Sequence, residues 1–279
     1  MTLSRRDVAG LLESHGLRPS AALGQNFVID PNTVRRIARL AGVGPGDRVV
    51  EIGAGLGSLT LALAETGAEV VAVELDRYLT PVLRSIVEPV GVRVVQGDAR
   101  TLAWDEVLGP EDGWVLVANL PYNVATPLVL DLLEGVPAIG RMLVMVQKEV
   151  GERLAAGAGD DAYGAVSVKL AYRATAKVVG KVPATVFLPR PNVESVLVEV
   201  VRRPSPAVDA DPVQLFALVQ AGFAHRRKML RRSLAGLVTP EVFAAAGVRP
   251  EARAEELDIT TWGKLAQCAI DHASGPRPS

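Results

Sequence analysis

Short apolar runs alternate with amphipathic stretches along most of this chain, and that alternation predicts strands and helices in turn. The runs 48–52, 69–73, 92–95, 115–118 and 141–146 are rich in Val, Ile and Leu and too short for buried helices. They are apolar at successive positions, which suits strands covered on both faces, as in a parallel sheet. Between them the pattern turns helical. Asp30-Pro31 reads as an N-cap and first turn of a helix to Leu40, an apolar helix runs through Leu63, and another runs from Ala125 to Leu133. Near the start, Leu3 to His15 is amphipathic and ends at Gly16. Lys177–Val182 and Ser195–Val201 alternate like a hairpin pair of strands, joined by a connection that Pro189 and Pro191 stiffen. Pro204-Ser-Pro206 marks a linker. Only helices follow it: Val213–Phe223, His225–Leu237, one near Glu241, and Thr261–His272. The pattern therefore predicts an α/β domain over residues 1–203 and a small helical domain over 204–279.

Several predicted strands end in residues that core packing does not call for. Residues 115–122, VLVANLPY, stop an apolar run with an amide, a proline and an aromatic. Asn119 falls at a strand's carboxyl end, where open α/β sheets bind ligands. Pro121 lacks an N–H and pushes Leu120 out of helical geometry, so carbonyls near Asn119 and Leu120 become available acceptors. Tyr122 adds a flat face beside them. Acceptors next to a stacking ring are what a planar base bearing an amine requires. An ordinary strand followed by a polar turn fits these few residues equally well.

The strand 48–52 runs into Gly53-Ala-Gly-Leu-Gly57, whose glycines let backbone N–H groups at a helix start approach a ligand. Ser58 stands where the dinucleotide fingerprint would put its third glycine, which argues against a dehydrogenase. Glu74 ends the next strand, about 20 residues past the glycine loop, where an acid can hold the two hydroxyls of a ribose; Asp76 reads as a helix cap. Asp98 ends the third strand and could accept from an exocyclic amine. Upstream, Gln25 and Asn26 lie in a polar-glycine segment that could fold over a ligand with Phe27 as anchor. Phe187 is expected to be held rigidly at the cleft by its proline-rich connection.

Composition limits the remaining choices. The chain has 279 residues, 49% of them hydrophobic, enough for one large domain and a smaller one. A single cysteine, Cys268, suits a reducing compartment, so a cytoplasmic location is expected. The three histidines lack ligand spacing, and no metal site is expected. Residues 113–130 carry no charge but are interrupted by Asn119, Pro121, Asn123 and Pro127, and no membrane span is expected. Net charge is −1, so overall charge does not draw the chain to nucleic acid. Charge distribution qualifies this. Arg226, Arg227, Lys228, Arg231 and Arg232 carry five positive charges with no acid between them. A solvated helix face is the ordinary explanation, and a phosphate-binding face is the functional one.

Taken together, LGQNF, EIGAGLGSLT, VELDR, GDAR, NLPYNVATPL, QKEV, AYGAVSV and FLPRPNVES, in this order, resemble the small-subunit ribosomal RNA adenine dimethyltransferase family. The resemblance spans roughly residues 20 to 235. It implies a class I, Rossmann-like methyltransferase fold with S-adenosylmethionine as donor. The implied substrate is two adjacent adenines near the 3′ end of small-subunit rRNA, within an immature 30S-type subunit, and a monomeric enzyme. By position, Asn26, Val28, Gly53, Glu74, Asp98 and Asn119 would contact the donor, Asn119, Leu120 and Pro121 would frame the reacting amine, and Tyr122 and Phe187 would flank the base. Two alternatives stand beside it: a related large-subunit rRNA methyltransferase that confers antibiotic resistance, and a ribosome assembly factor whose methylation is incidental.

Overall fold

The structure is a computed structural model and describes residues 2–121, 124–225 and 227–274, so Tyr122, Asn123 and Arg226 lie outside the described residues. In chain order the elements are α1 Arg5–Ser14, β1 Phe27–Val28, α2 Pro31–Ala41, β2 Arg48–Ile52, α3 Ser58–Ala64, β3 Glu69–Glu74, α4 Thr80–Val87, β4 Arg93–Gln96, α5 Trp104–Leu108, β5 Trp114–Asn119 and α6 Ala125–Gly135. There follow β6 Ile139–Gln147, α7 Lys148–Ala155, α8 Ala165–Arg173, β7 Ala174–Val182, β8 Phe187–Leu188, β9 Ser195–Arg202, α9 Pro212–Phe223, α10 Leu230–Ser233, α11 Pro240–Ala246 and α12 Ile259–Ser274. They form two compact units, residues 1–151 with 176–202, and residues 152–175 with 203–279. The segment 152–175 thus groups with the later helices rather than with the span 1–203.

The first unit is built on a seven-stranded sheet in the order β4-β3-β2-β5-β6-β9-β7. Strands β4 to β6 are parallel, and β9 pairs antiparallel with β6. Val49, Val50, Leu116 and Val117 are wholly buried, as strands covered on both faces require. Local signals set the helices. Asp30 accepts from the Thr33 N–H, Pro31 occupies the first turn, and Gly42 ends α2 in the left-handed conformation. Arg202 closes α6 from a distance: its guanidinium donates to the carbonyls of Leu132, Leu133, Val136 and Ile139. The chain leaves β2 toward β3 on one side and later returns to β5 on the other. The carboxyl ends of β2 and β5 therefore flank a topological switch point, where such sheets hold ligands.

The second unit has its own core, in which Trp262, Leu265, Leu215, Val219, Leu230 and Phe243 are buried. Here the expected helix 225–237 is reduced to the four residues of α10. The N–H groups of Leu230 and Arg231 donate to the carbonyls of Ala252 and Pro250, and Met229 bridges Arg253. These partners fix the helix start at Leu230, and Gly236 at φ +82° stops its continuation.

Candidate active site

A cavity of about 420 Å³ opens at the carboxyl ends of β2 to β5, lined among others by Asn26, Val28, Glu51, Gly53, Gly55, Glu74, Leu75, Asp98, Asn119, Leu120 and Pro121. At the end of β2 the backbone turns through Gly53 at φ +75°, Gly55 at +59° and Gly57 at +89°, a conformation that side chains resist. A Cβ on Gly55 would come within 3.0 Å of the Phe27 ring, and one on Gly57 within 2.8 Å of Val87. The loop thus presents main chain, and not side chain, to the cavity.

Glu74, at the end of β3, accepts from the Gly55 N–H at 2.7 Å and from the Asp76 N–H at 2.8 Å. These bonds fix its carboxylate against the glycine loop, while burial raises its pKa. Asp98, past β4, accepts from the main chain and guanidinium of Arg100, which holds its carboxyl below the usual carboxylate range. It is therefore an anionic acceptor at the cavity wall.

Asn119 ends β5, and its Nδ2 donates to the Asn26 carbonyl at 2.9 Å. That bond decides which way the amide points. Oδ1 is left as the acceptor, and among the described residues no donor reaches it. The Leu120 N–H continues the ladder to Met145. The carbonyl of Pro121 accepts from Val124 and Ala125 and starts α6, so this carbonyl is spent on a helix.

The segment before β1 lies across the cavity and is tied at both sides. On one side Gln25 Nε2 donates to Asp76 Oδ2 at 2.8 Å, and on the other the Asn26 carbonyl holds Asn119. Asp76 also accepts from the Tyr78 N–H through Oδ1, so it both caps the turn into α4 and anchors the cap segment. Phe27 and Val28 are buried below and pair antiparallel with Phe187–Leu188.

The structure thus brings together Asn26, Val28, Gly53, Glu74, Asp98, Asn119, Leu120 and Pro121. Phe187 does not line the cavity. It is 1% exposed and belongs to the core that includes Val28 and Leu197, because its pairing with Phe27–Val28 turns the ring inward. The expected position of Tyr122 falls outside the described residues. Arg227, Lys228, Arg231 and Arg232 are exposed, in a turn and a short helix rather than at helical spacing on one face, and Arg231 lies 3.5 Å from Glu251.

Glu51 was not singled out by sequence, where it reads as one polar residue in an apolar strand. It is 1% exposed, Oε2 has no hydrogen-bond partner among the described residues, and burial pushes its carboxyl up to about 8. An acid at the last but one position of a buried strand was the available signal. Among the described residues no cluster suited to a metal ion occurs, and no helix is long and apolar enough to cross a membrane.

Known proteins with this arrangement agree with one another. Residues 17–271 match the family model described as ribosomal RNA adenine dimethylase. A Kineococcus radiotolerans protein named ribosomal RNA small subunit methyltransferase A is 48% identical over 95% of this chain and 90% of its own. A Cutibacterium acnes protein of the same name is 48% identical over 95% and 93%. Among solved structures, a dimethyladenosine transferase from Plasmodium falciparum superposes with a TM-score of 0.75 at 24% identity, covering 88% of this chain and 97% of that one. The 23S rRNA methyltransferase ErmE superposes with a TM-score of 0.68, also at 24% identity, over 88% and 99%. These two show a shared class I methyltransferase fold. With the family model and the closely similar relatives spanning nearly the whole length, the chain belongs to the ribosomal RNA adenine dimethylase family.

Proposed function

We propose that this enzyme transfers methyl groups from S-adenosylmethionine to the exocyclic amines of two adjacent adenines near the 3′ end of small-subunit rRNA. The observation that carries the site assignment is the Asn119 amide, whose nitrogen is engaged by Asn26 so that its oxygen is left toward the cavity. The cavity fits the donor by its chemistry: glycine main chain where a Cβ would collide with Phe27, Glu74 for a ribose, and Asp98 for an exocyclic amine. When bound, S-adenosylmethionine supplies an electrophilic methyl group, so the chain needs neither a nucleophile nor a metal.

The residues' work is positioning and electrostatics. Adenine's amine is a poor nucleophile because its lone pair is delocalised into the ring. A hydrogen bond from that amine to Asn119 Oδ1, with a second to the Leu120 carbonyl, favours the pyramidal nitrogen whose lone pair is localised. Tyr122 supplies the stacking face, worth about 1 to 3 kcal/mol per base. Phe187 acts from the core as a positioning residue: it fixes β1, and through Asn26 the orientation of Asn119.

We assign the cations from Arg226 to Arg232 to phosphate contact, the residues 204–279 to RNA binding, and the enzyme to the cytoplasm as a monomer acting on an immature subunit. The small-subunit names of the relatives at 48% identity support this substrate, whereas the large-subunit alternative has only a common fold behind it. Single-turnover methyl transfer at saturating donor, to immature small subunits and to large-subunit rRNA side by side, tests the reading. Methylation confined to two adjacent adenines is the expected outcome, and methylation of large-subunit rRNA instead would overturn it.

A further inference from the structure

A second concentration of positive charge lies in the first unit, where β6, β9 and β7 extend past α2. Arg36 donates through Nη1 to the Lys181 carbonyl at 2.9 Å, and its guanidinium covers Gly180, where a Cβ would come within 2.6 Å. At the other end of α2, Arg141 Nη1 lies 3.9 Å from where a Cβ on Gly42 would stand. Arg141 also approaches Glu199 at 3.9 Å, and Lys177 Nζ reaches the same carboxylate at 2.7 Å. Arg39 is exposed, one turn beyond Arg36 and one turn before Gly42. Arg36, Arg39, Arg141 and Lys177 therefore share one surface, with Glu199 as its acid; Lys181 offers it only a carbonyl, because Gly180 and the buried Val182 on either side of it face α2 and its own side chain points to the other face of β7. Arg39 forms no ion pair among the described residues.

We propose that this surface binds the phosphate backbone of the substrate RNA, separately from the reacting adenines. The inference rests on the assignment of rRNA as substrate. Three elements converge to place four cations against one carboxylate in a chain whose net charge is −1, so the local charge does not follow from composition. The fixed guanidiniums of Arg36 and Arg141 hold the surface in place, and Arg39 and Lys177 are its exposed donors. Contacts from such a surface go to phosphates, so no base need be read. Sequence spacing did not reveal the surface because its members lie on α2, β6 and β7, far apart along the chain.

Lysines on β7 have an ordinary alternative role, since β7 is the edge of the sheet and charged residues there discourage strand-to-strand association. The test uses the full chain and the double variant Arg39→Gln, Lys177→Gln. It measures affinity for a small-subunit rRNA fragment carrying the two adenines against salt concentration. Removing one cation from a phosphate lowers the slope of log affinity against log salt by about 0.7 to 0.9, so a decrease of about 1.5 units is expected, with unchanged S-adenosylmethionine affinity by calorimetry. An unchanged slope in a folded variant overturns the proposal. If the variant keeps the slope and sediments as a larger species, the side chains guard the edge strand instead, which also overturns it. Failure of the parent chain to methylate that RNA would count against the functional reading alone, because the salt slope is measured on binding.

Discussion

Replacing Asn119 with alanine removes one acceptor from the cavity and the cap segment's bond through Asn26, but nothing from the core. The fold and most RNA affinity should persist, while methyl transfer slows by on the order of 100-fold, the usual loss when one preorganised polar contact leaves a transition state. Single-turnover rates at saturating donor check this; near-parental turnover would make the strand end merely structural. Glu51 allows a different test. Its carboxyl is held neutral by burial, with a folded-state value of about 8 against an ordinary 4.5. A pKa raised in the folded state contributes stability that is complete below the ordinary value and is lost as pH rises through the folded one. The parent should therefore lose stability relative to Glu51→Gln between about pH 5 and about pH 8. Thermal unfolding of the two proteins across that range measures it, and parallel curves would show that Glu51 ionises as if exposed.

At the level of elements, Arg202 holds the end of α6 by donating to four carbonyls. Arg202→Leu keeps the stem's apolar character but leaves those acceptors without their charged donor. The expected loss is about 3 kcal/mol, read by urea denaturation; a change within error would mean that water replaces the guanidinium without cost. Such closures were not legible in the sequence, because residues 132 and 202 are distant along the chain and arginine alone does not disclose its partner. What was legible was local. Asp30-Pro31 starts α2 as expected, the apolar runs became β2 to β6, and the residues closing them gathered at one cavity. Phe187 shows where local reading stopped. Its proline-rich surroundings suggested a ring held at a cleft, but pairing with Phe27–Val28, some 160 residues earlier, buried it. The expected helix 225–237 failed for the same kind of reason. Leu230, Leu234 and Leu237 have helical spacing, yet the main chain near Leu230 bonds to residues 250–252 and Leu237 is exposed.

Across the whole molecule, charge is close to balanced while each unit has a local excess of cations. Neutralising two of them, Arg227 and Lys228, should flatten the salt dependence of RNA binding by about one to two units and leave donor affinity unchanged. Combined with the α2–β7 variant, the two decreases in slope should add, since the residues share no partner. Filter binding across a salt series tests both, and a combined decrease no larger than either alone would mean the two surfaces do not bind the RNA together. The cap segment has a further consequence. Gln25 fastens it to Asp76 and Asn26 fastens it to Asn119, so the strap that covers the donor cavity also aims the amide for the acceptor. Covering the cavity and aiming the amide are then a single mechanical act, since the strap cannot lift there without releasing the Asn119 side chain from its partner.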